Sequence, residues 1–188
     1  EFYTQLEDIE KELSNYTDLF QGKSVYCNCD DPEQSNFWKY FAGNFDTLKL
    51  NRLVATFIDK DRPAVKTEII RDAKTGEKGT TAITPLTQHG DFRSEECRAI
   101  LQKADIVVTN PPFSLFREYI AQLFAYQKQF LVMGNMNAVT YKEIFPLIKT
   151  NKLWYGPSIS SGDREFRVPN SYPLTAAGSR IDEAGNKF

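Results

Sequence analysis

The run Asn110-Pro111-Pro112-Phe113 follows the apolar stretch DIVVT at residues 105–109 and precedes a periodic apolar segment, where two consecutive prolines need a reason. Proline fixes its own φ and drives the residue before it toward extended backbone, so Pro111 and Pro112 hold the Asn110 side chain and the nearby carbonyls in one arrangement. A carboxamide oxygen and a rigid backbone carbonyl then present two acceptors together, which matches an exocyclic amino group with two N–H donors. Phe113 adds a flat face on which a planar base can stack. Asn-Pro alone marks an ordinary turn. The four residues together, between a strand and a helix, read as a site that holds an amine.

Such a site needs elements to aim it. Phe2, Leu6, Ile9, Leu13, Tyr16 and Phe20 recur at three- and four-residue steps, so residues 1–21 read as an amphipathic helix with an acidic outer face, ended by Gly22. SVYCNCD at 24–30 reads as a strand, and DDPEQSNFWKYF as the start of a helix. There Asp31 suits the N-cap, Pro32 the first helical position and Gln34 a capping box, with Phe37, Phe41 and Phe45 as the buried stripe. RLVATFI at 52–58 is a second strand. From Asp59 to Gly90 the chain turns polar, with Pro63, Gly76, Gly79 and Pro85, and reads as a long loop or small hairpin inserted between core elements. SEECRAILQK is a short helix capped by Ser94, and DIVVT the next strand. A helix from about Leu115 to Gln127 turns Phe116, Ile120, Leu123 and Phe124 inward; QFLVMG is a further strand, and TYKEIF a helical turn broken at Pro146.

Strands alternating with helices predict an α/β fold with an open, Rossmann-like, doubly wound sheet over residues 22–170. In such sheets ligands bind beyond the carboxyl ends of the strands. Three loops follow strands there: Asp30-Asp31-Pro32, Asn110–Phe113 and Asn135-Met136-Asn137.

Composition sets the bounds. The chain has 188 residues, 41% apolar and 13% aromatic, enough for one domain with a sizeable core. No run approaches the roughly 18 apolar residues of a membrane span, and the charged N-terminus is unlike a signal peptide, so a soluble, cytoplasmic protein is expected. The chain begins without Met, as expected of a trimmed fragment. Cys27, Cys29 and Cys97 are an odd number, the C-x-C spacing is too short for a zinc pair, and His89 is the only histidine, so reduced structural thiols and no metal are expected. The net charge of -2 hides an asymmetry: residues 1–33 carry nine acids and two bases, the rest 16 acids and 21 bases. A mildly basic body permits a phosphate-binding face and equally a solvated mixed surface.

The motif NPPF resembles the (Asp/Asn)-Pro-Pro-(Tyr/Phe) signature of amino methyltransferases. With VYCNCDDPEQSNFWKYF, GDFRSEEC, ADIVVTNPPFSLFREYIAQL and FLVMGNMNAVTYKEIFPLIKTNKLW, the stretch from Gly22 to Pro169 is similar to the EcoRI-type adenine-specific DNA methyltransferases of restriction-modification systems and phage-like genomes. The resemblance implies a class I methyltransferase fold, S-adenosylmethionine as cofactor, double-stranded DNA as partner, and methyl transfer to adenine N6. On that basis Asn110 and the Pro111 carbonyl, held by Pro112, would grip the amino group of a flipped adenine, and Phe113 would stack on it. Asp30 would meet the cofactor's ammonium, and the loop Cys29, Asp30, Asp31, Ser35 with Phe37 would receive its carboxyl end. Asp59 would take the ribose hydroxyls, and Asp91 and Phe92 the adenine edge and ring.

Two departures from the family pattern stand out. The Gly-rich loop usual after the first strand reads CNCDDP here, so the backbone must approach the cofactor differently. The polar tail at 171–188 leaves no room for the last sheet strands of a complete enzyme, and DNA reading is then left to Arg164, Arg167 and the bases Lys60, Arg62, Lys66, Arg71, Lys74 and Lys78 of the insertion. A protein glutamine-amide methyltransferase would keep the Gly-rich loop. A non-catalytic nucleic-acid or partner-binding relative need not hold the cofactor at all. His89 beside Gly90 invites a general-base role that attack on a sulfonium methyl does not need.

Overall fold

The computed structural model of the chain describes residues 3–58, 62–159, 165–175 and 178–188. Its elements in order are β1 (Tyr3–Thr4), α1 (Leu6–Leu13), β2 (Ser24–Asn28), α2 (Asn36–Gly43), β3 (Arg52–Thr56), β4 (Val65–Ile70), β5 (Ala82–Pro85), α3 (Glu95–Lys103), β6 (Ile106–Thr109), α4 (Phe116–Ala125), β7 (Gln129–Val132), α5 (Phe145–Lys149) and β8 (Phe166–Arg167). Short 3-10 turns cover Ser14–Phe20, Phe113–Leu115 and Met136–Thr140.

Six strands form one sheet in the order β5-β4-β3-β2-β6-β7, and β1 pairs with β8 in a separate ribbon. The four strands β3, β2, β6 and β7 are parallel; β4 and β5 extend the β3 edge antiparallel. The central strands are apolar on both faces, as a doubly covered sheet requires. Val25, Cys27, Leu53, Ala55, Ile106 and Val108 face one core with α1 and α2, while Tyr26, Val54 and Val107 face the other with α3 and α4. The molecule is therefore a mixed α/β sheet with a helical layer on each face.

Several boundaries differ from the sequence reading. The N-terminal helix is α-helical only over Leu6–Leu13 and then tightens into the 3-10 turn Ser14–Phe20; Phe2 lies outside the described residues. Ser35, not Asp31, caps α2: its hydroxyl accepts from the Phe37 and Trp38 amides at 3.1 and 3.2 Å. Asp31 instead heads a tight turn, its carboxylate accepting from the Glu33 amide at 3.0 Å, so Pro32 precedes the helix. The stripe Phe37, Phe41 and Phe45 is buried as expected, and Ser94 caps α3 through the Cys97 amide at 3.2 Å.

The polar segment after Asp59 forms the hairpin alternative of the sequence reading, its antiparallel strands β4 and β5 extending the sheet, and Glu68 is buried there in a pair of ion contacts with Arg52 (2.5 Å) and Lys66 (2.6 Å). α4 is shorter than expected, running from Phe116 to Ala125 behind the 3-10 turn that NPPF starts; Phe124 is only partly buried, and Tyr119 is fully so. Pro146 does not break a helix but sits in the first turn of α5, where its missing N–H has no helical partner to lose. The tail is ordered by bridges from Lys187 to Val168 and Ile181.

Candidate active site

β2 and β6 are neighbouring parallel strands whose following helices lie on opposite faces of the sheet: α2 in the first layer, α4 in the second. Their carboxyl ends therefore open a crevice at the point where the winding reverses. Asn28–Asp31 form one wall and Thr109–Phe113 the other.

Thr109 fastens the walls together. Its buried hydroxyl donates into the pair formed by the Asn28 carbonyl oxygen and Asp30 Oδ2. Asp30 Oδ1 accepts from the Ser35 hydroxyl at 2.6 Å, so one serine both caps α2 and aims the acid. Asp30 is buried and, with two hydroxyls on it, still has acceptor capacity for a cation.

The turn after β2 solves the missing-glycine problem in place. Cys29 adopts a φ of 79°, the left-handed region that glycine favours, and its amide donates to the Thr56 carbonyl at 2.8 Å. The Asp30 amide reaches the same carbonyl at 3.2 Å, so the loop folds over the end of β3. Asp31 Oδ2 pairs with Arg62 Nη2 at 2.6 Å, Arg62 Nη1 meets Glu33 Oε2 at 3.0 Å, and the guanidinium lies 5.1 Å from the Phe57 ring centre. Arg62 thus straps the loop after β2 to the segment after β3.

Asp59 falls outside the described residues. Asp91 is held by its neighbour: Oδ1 accepts from the Arg93 amide (2.8 Å) and Nε (2.9 Å), and Oδ2 from Nη2 (2.6 Å). Those hydrogen bonds from Arg93 keep the Asp91 carboxyl below its usual range. Phe92 is buried edge-on against Tyr119 at 5.0 Å between ring centres. Gly90, with a φ of +67°, presses on the Phe57 carbonyl where any Cβ would overlap, and so brings Asp91 and Phe92 to the end of β3. His89 is exposed and also left-handed, at φ 42°. Phe37, expected near the cofactor, is buried in the core and also borders the small cavity shared by Asp30, Ser35 and Asn110.

In the NPPF run Asn110 and Phe113 are half-buried, Pro111 is buried and Pro112 is exposed. The Pro112 carbonyl accepts from the Leu115 amide at 3.0 Å, which starts the 3-10 turn, whereas among the described residues none donates to the Pro111 carbonyl. Phe113 lines a cavity of ≈ 650 Å³ that runs along β7.

Two buried donors add to the picture. Asn28 Nδ2 and the Tyr119 hydroxyl have no hydrogen-bond partner among the described residues. Burial, and then the proximity of Cys29, Tyr26 and Asp30, push the Tyr119 hydroxyl well above its ordinary pKa, so it stays a neutral donor or acceptor. A buried polar group left unpaired costs about 1–3 kcal/mol, so two of them beside one loop suit a polar ligand that completes the set. Thr109 and Tyr119 were invisible as site residues in the sequence, Thr109 being the last letter of an apolar run and Tyr119 one of a helical stripe; Arg62, expected at DNA, is instead engaged with Asp31 and Glu33.

Lys60 and Arg164 lie outside the described residues; among the described bases of the insertion, Arg62, Lys66, Arg71 and Lys78 are engaged within the protein. Arg71 donates to Leu50, Gly76 and Phe45 carbonyls and to Asp46, Lys66 pairs with Glu68, and Lys78 donates to the Ala42 carbonyl. All three cysteines are free thiols, and among the described residues no group of three or more His, Cys, Asp or Glu is placed to hold a metal ion. No helix among the described residues is long and apolar enough to cross a membrane.

Comparison with known proteins gives one consistent result. The family model described as adenine-specific methyltransferase EcoRI matches residues 1–188. The Type II methyltransferase M.EcoRI of Escherichia coli is 46% identical over 199 residues, covering 100% of this chain and 61% of the relative. Type II methyltransferases M.MpnI of Mycoplasma pneumoniae and M.MgeORF184P of Mycoplasma genitalium are 41% and 40% identical, each covering 93% of this chain and 52% of the relative. The chain thus spans between about half and three-fifths of the length of these relatives. No solved structure matches it significantly.

Proposed function

Because the chain belongs to the EcoRI adenine-specific methyltransferase family, we propose that it transfers a methyl group from S-adenosylmethionine to the N6 amino group of adenine in double-stranded DNA. The sheet is read as the Rossmann-like sheet of class I methyltransferases. The observation that carries the proposal is the junction at Thr109, which sets the Asp30 carboxylate of one wall against the Asn110–Phe113 turn of the other.

S-adenosylmethionine supplies an electrophilic sulfonium methyl when bound. Asp30, held by Ser35 and Thr109, would neutralise its ammonium, and the Tyr119 hydroxyl and Asn28 amide would find the polar partner they lack. Asp91 and Phe92 would border the adenosine end, and Asp59 the ribose. On the other wall the Asn110 carboxamide oxygen and the Pro111 carbonyl would each accept one N–H of the target amino group. Two acceptors on those hydrogens draw the nitrogen lone pair out of ring conjugation and aim it. Phe113 would stack on the extruded base. The N–C bond would form as the sulfonium S–C bond breaks, leaving the neutral thioether S-adenosylhomocysteine, and the methylated nitrogen would release one proton to water, so no covalent enzyme intermediate or strong base is required. Fixing both reactants in line can supply roughly 7–11 kcal/mol of the barrier.

Asn110→Ala and Pro111→Ala test the assignment. Asn110→Ala removes one transition-state acceptor and is expected to lower methyl transfer by about 10²–10³-fold; Pro111→Ala keeps the backbone carbonyl but loosens its aim and is expected to lower transfer less, with S-adenosylmethionine affinity retained by calorimetry in both. Wild-type transfer rates in both variants would refute it.

A further inference from the structure

Beyond β7, the segment from Met136 to Tyr155 exposes more large apolar surface than a lone surface residue would. Met136, Phe145, Trp154 and Tyr155 are each more than half exposed, Trp154 at 68%. Met136, Trp154 and Tyr155 border the cavity that Phe113 lines, so the patch is continuous with the NPPF wall. The patch is also braced. The Tyr155 hydroxyl donates to the Met136 carbonyl at 3.2 Å, and Glu12 accepts from the Ser158 amide at 2.9 Å on the far side of the loop. Gly156 packs so closely on the Glu12 carboxylate that a Cβ would overlap it.

Charge identifies the occupant. From Tyr119 to Ile159 the sequence has one carboxylate, Glu143, and four lysines. Lys128 is engaged with the Gln102 and Ala104 carbonyls, Lys142 and Arg117 share Glu143 at 3.8 and 3.7 Å, with Arg117 also 4.1 Å from the Tyr141 ring centre, and Lys149 and Lys152 are exposed. Asp8 and Glu12 border the inner part of the cavity, whereas the outer rim sets the exposed aromatic faces of Trp154 and Tyr155 beside the exposed Lys149 and Lys152 in the sequence, which suits bases on a phosphate backbone better than an apolar protein segment.

We propose that the rim formed by Trp154 and Tyr155 with Lys149 and Lys152 is a docking surface for the DNA strand beside the extruded adenine, the aromatics stacking on bases and the lysines meeting phosphates. This rests on the adenine-DNA reading above and assigns its binding surface.

The two tryptophans make the test spectroscopic. Trp38 is buried and Trp154 exposed, so the Trp38→Phe chain reports from Trp154 alone, and Trp154→Phe in the natural background reports the converse. A short mixed-sequence duplex should quench Trp154 emission and reduce its accessibility to acrylamide several-fold, and Trp154→Phe should abolish the DNA-dependent change. The double variant Trp154→Ala and Tyr155→Ala should weaken duplex affinity about tenfold or more. Lys149→Glu with Lys152→Glu should reduce the salt slope of binding by about two. S-adenosylmethionine affinity should stay unchanged throughout. Duplex binding with Trp154 equally quenchable, or unchanged affinity in the double variant, overturns the surface; so does protection of Trp154 that grows with protein concentration in the absence of DNA. Methyl transfer to adenine with a silent Trp154 refutes the surface and leaves the reaction standing. A responsive Trp154 with no methyl transfer does the reverse.

Discussion

Cys29 and Tyr119 each carry a local cost to stability at the loop after β2. Cys29 holds a φ of 79° that costs a side-chain-bearing residue roughly 1 kcal/mol or more. Cys29→Gly is therefore expected to raise unfolding stability by about 1 kcal/mol, read from the denaturant midpoint, while cofactor binding survives. A lower midpoint would show that the thiol contributes more than the strain removes. Tyr119 buries a hydroxyl that has no hydrogen-bond partner among the described residues. Tyr119→Phe should stabilise the free chain by about 1 kcal/mol and weaken S-adenosylmethionine binding several-fold. An unchanged cofactor affinity would mean that the hydroxyl serves no ligand. Cys29 was named in advance only as part of the loop, and Tyr119 not at all, because a positive φ and an orphan hydroxyl are properties of three-dimensional context. Asn110–Phe113 was legible, because proline stiffness and acceptor chemistry are written into the residues themselves.

At the level of elements, α2 and β4 mark where local rules stopped working. The sequence DDPEQS offers two caps, and local rules favoured Asp31 ahead of Pro32. The chain uses Ser35 because Asp31 is committed to Arg62, a partner 31 residues away. Ser35 then joins helix start to site, so Ser35→Ala should cost about 1 kcal/mol of stability and also lower cofactor affinity by releasing Asp30. A stability loss with wild-type affinity would separate the two roles and remove Ser35 from the site. The insertion was readable as a loop or a small hairpin and is the hairpin β4–β5; that it joins the sheet was not readable, because the charge of Glu68 in VKTEII is neutralised by Lys66 within the strand and by Arg52 on the neighbouring strand β3. The strands β2, β3, β6 and β7 were legible because their apolar runs serve two cores at once. Helix α5 was misjudged at Pro146, whose position in a first turn looks identical in sequence to a break.

The whole molecule places its acids and bases unevenly, and its response to pH follows from where the acids are held. The Arg93 hydrogen bonds lower the Asp91 carboxyl beneath its ordinary value of 3.8, so this pair stabilises the folded chain above that value. The contribution is lost as pH falls through the depressed pKa. Asp91→Asn should thus destabilise the chain at neutral pH and flatten its loss of stability below about pH 4, as followed by acid titration of the unfolding midpoint. Parallel curves for both proteins would show that the pair is only a surface contact. Because Asp91 borders the proposed adenosine end, the same variant should also weaken cofactor binding at neutral pH.

The proposed reaction is assigned to the junction of β2 and β6. The most direct measurement is transfer of labelled methyl from S-adenosylmethionine to mixed-sequence duplex DNA, followed by digestion to nucleosides. The predicted result is label in N6-methyladenine, lost in Asn110→Ala. Label on cytosine or on protein, or cofactor and duplex both bound with no label transferred, would contradict it.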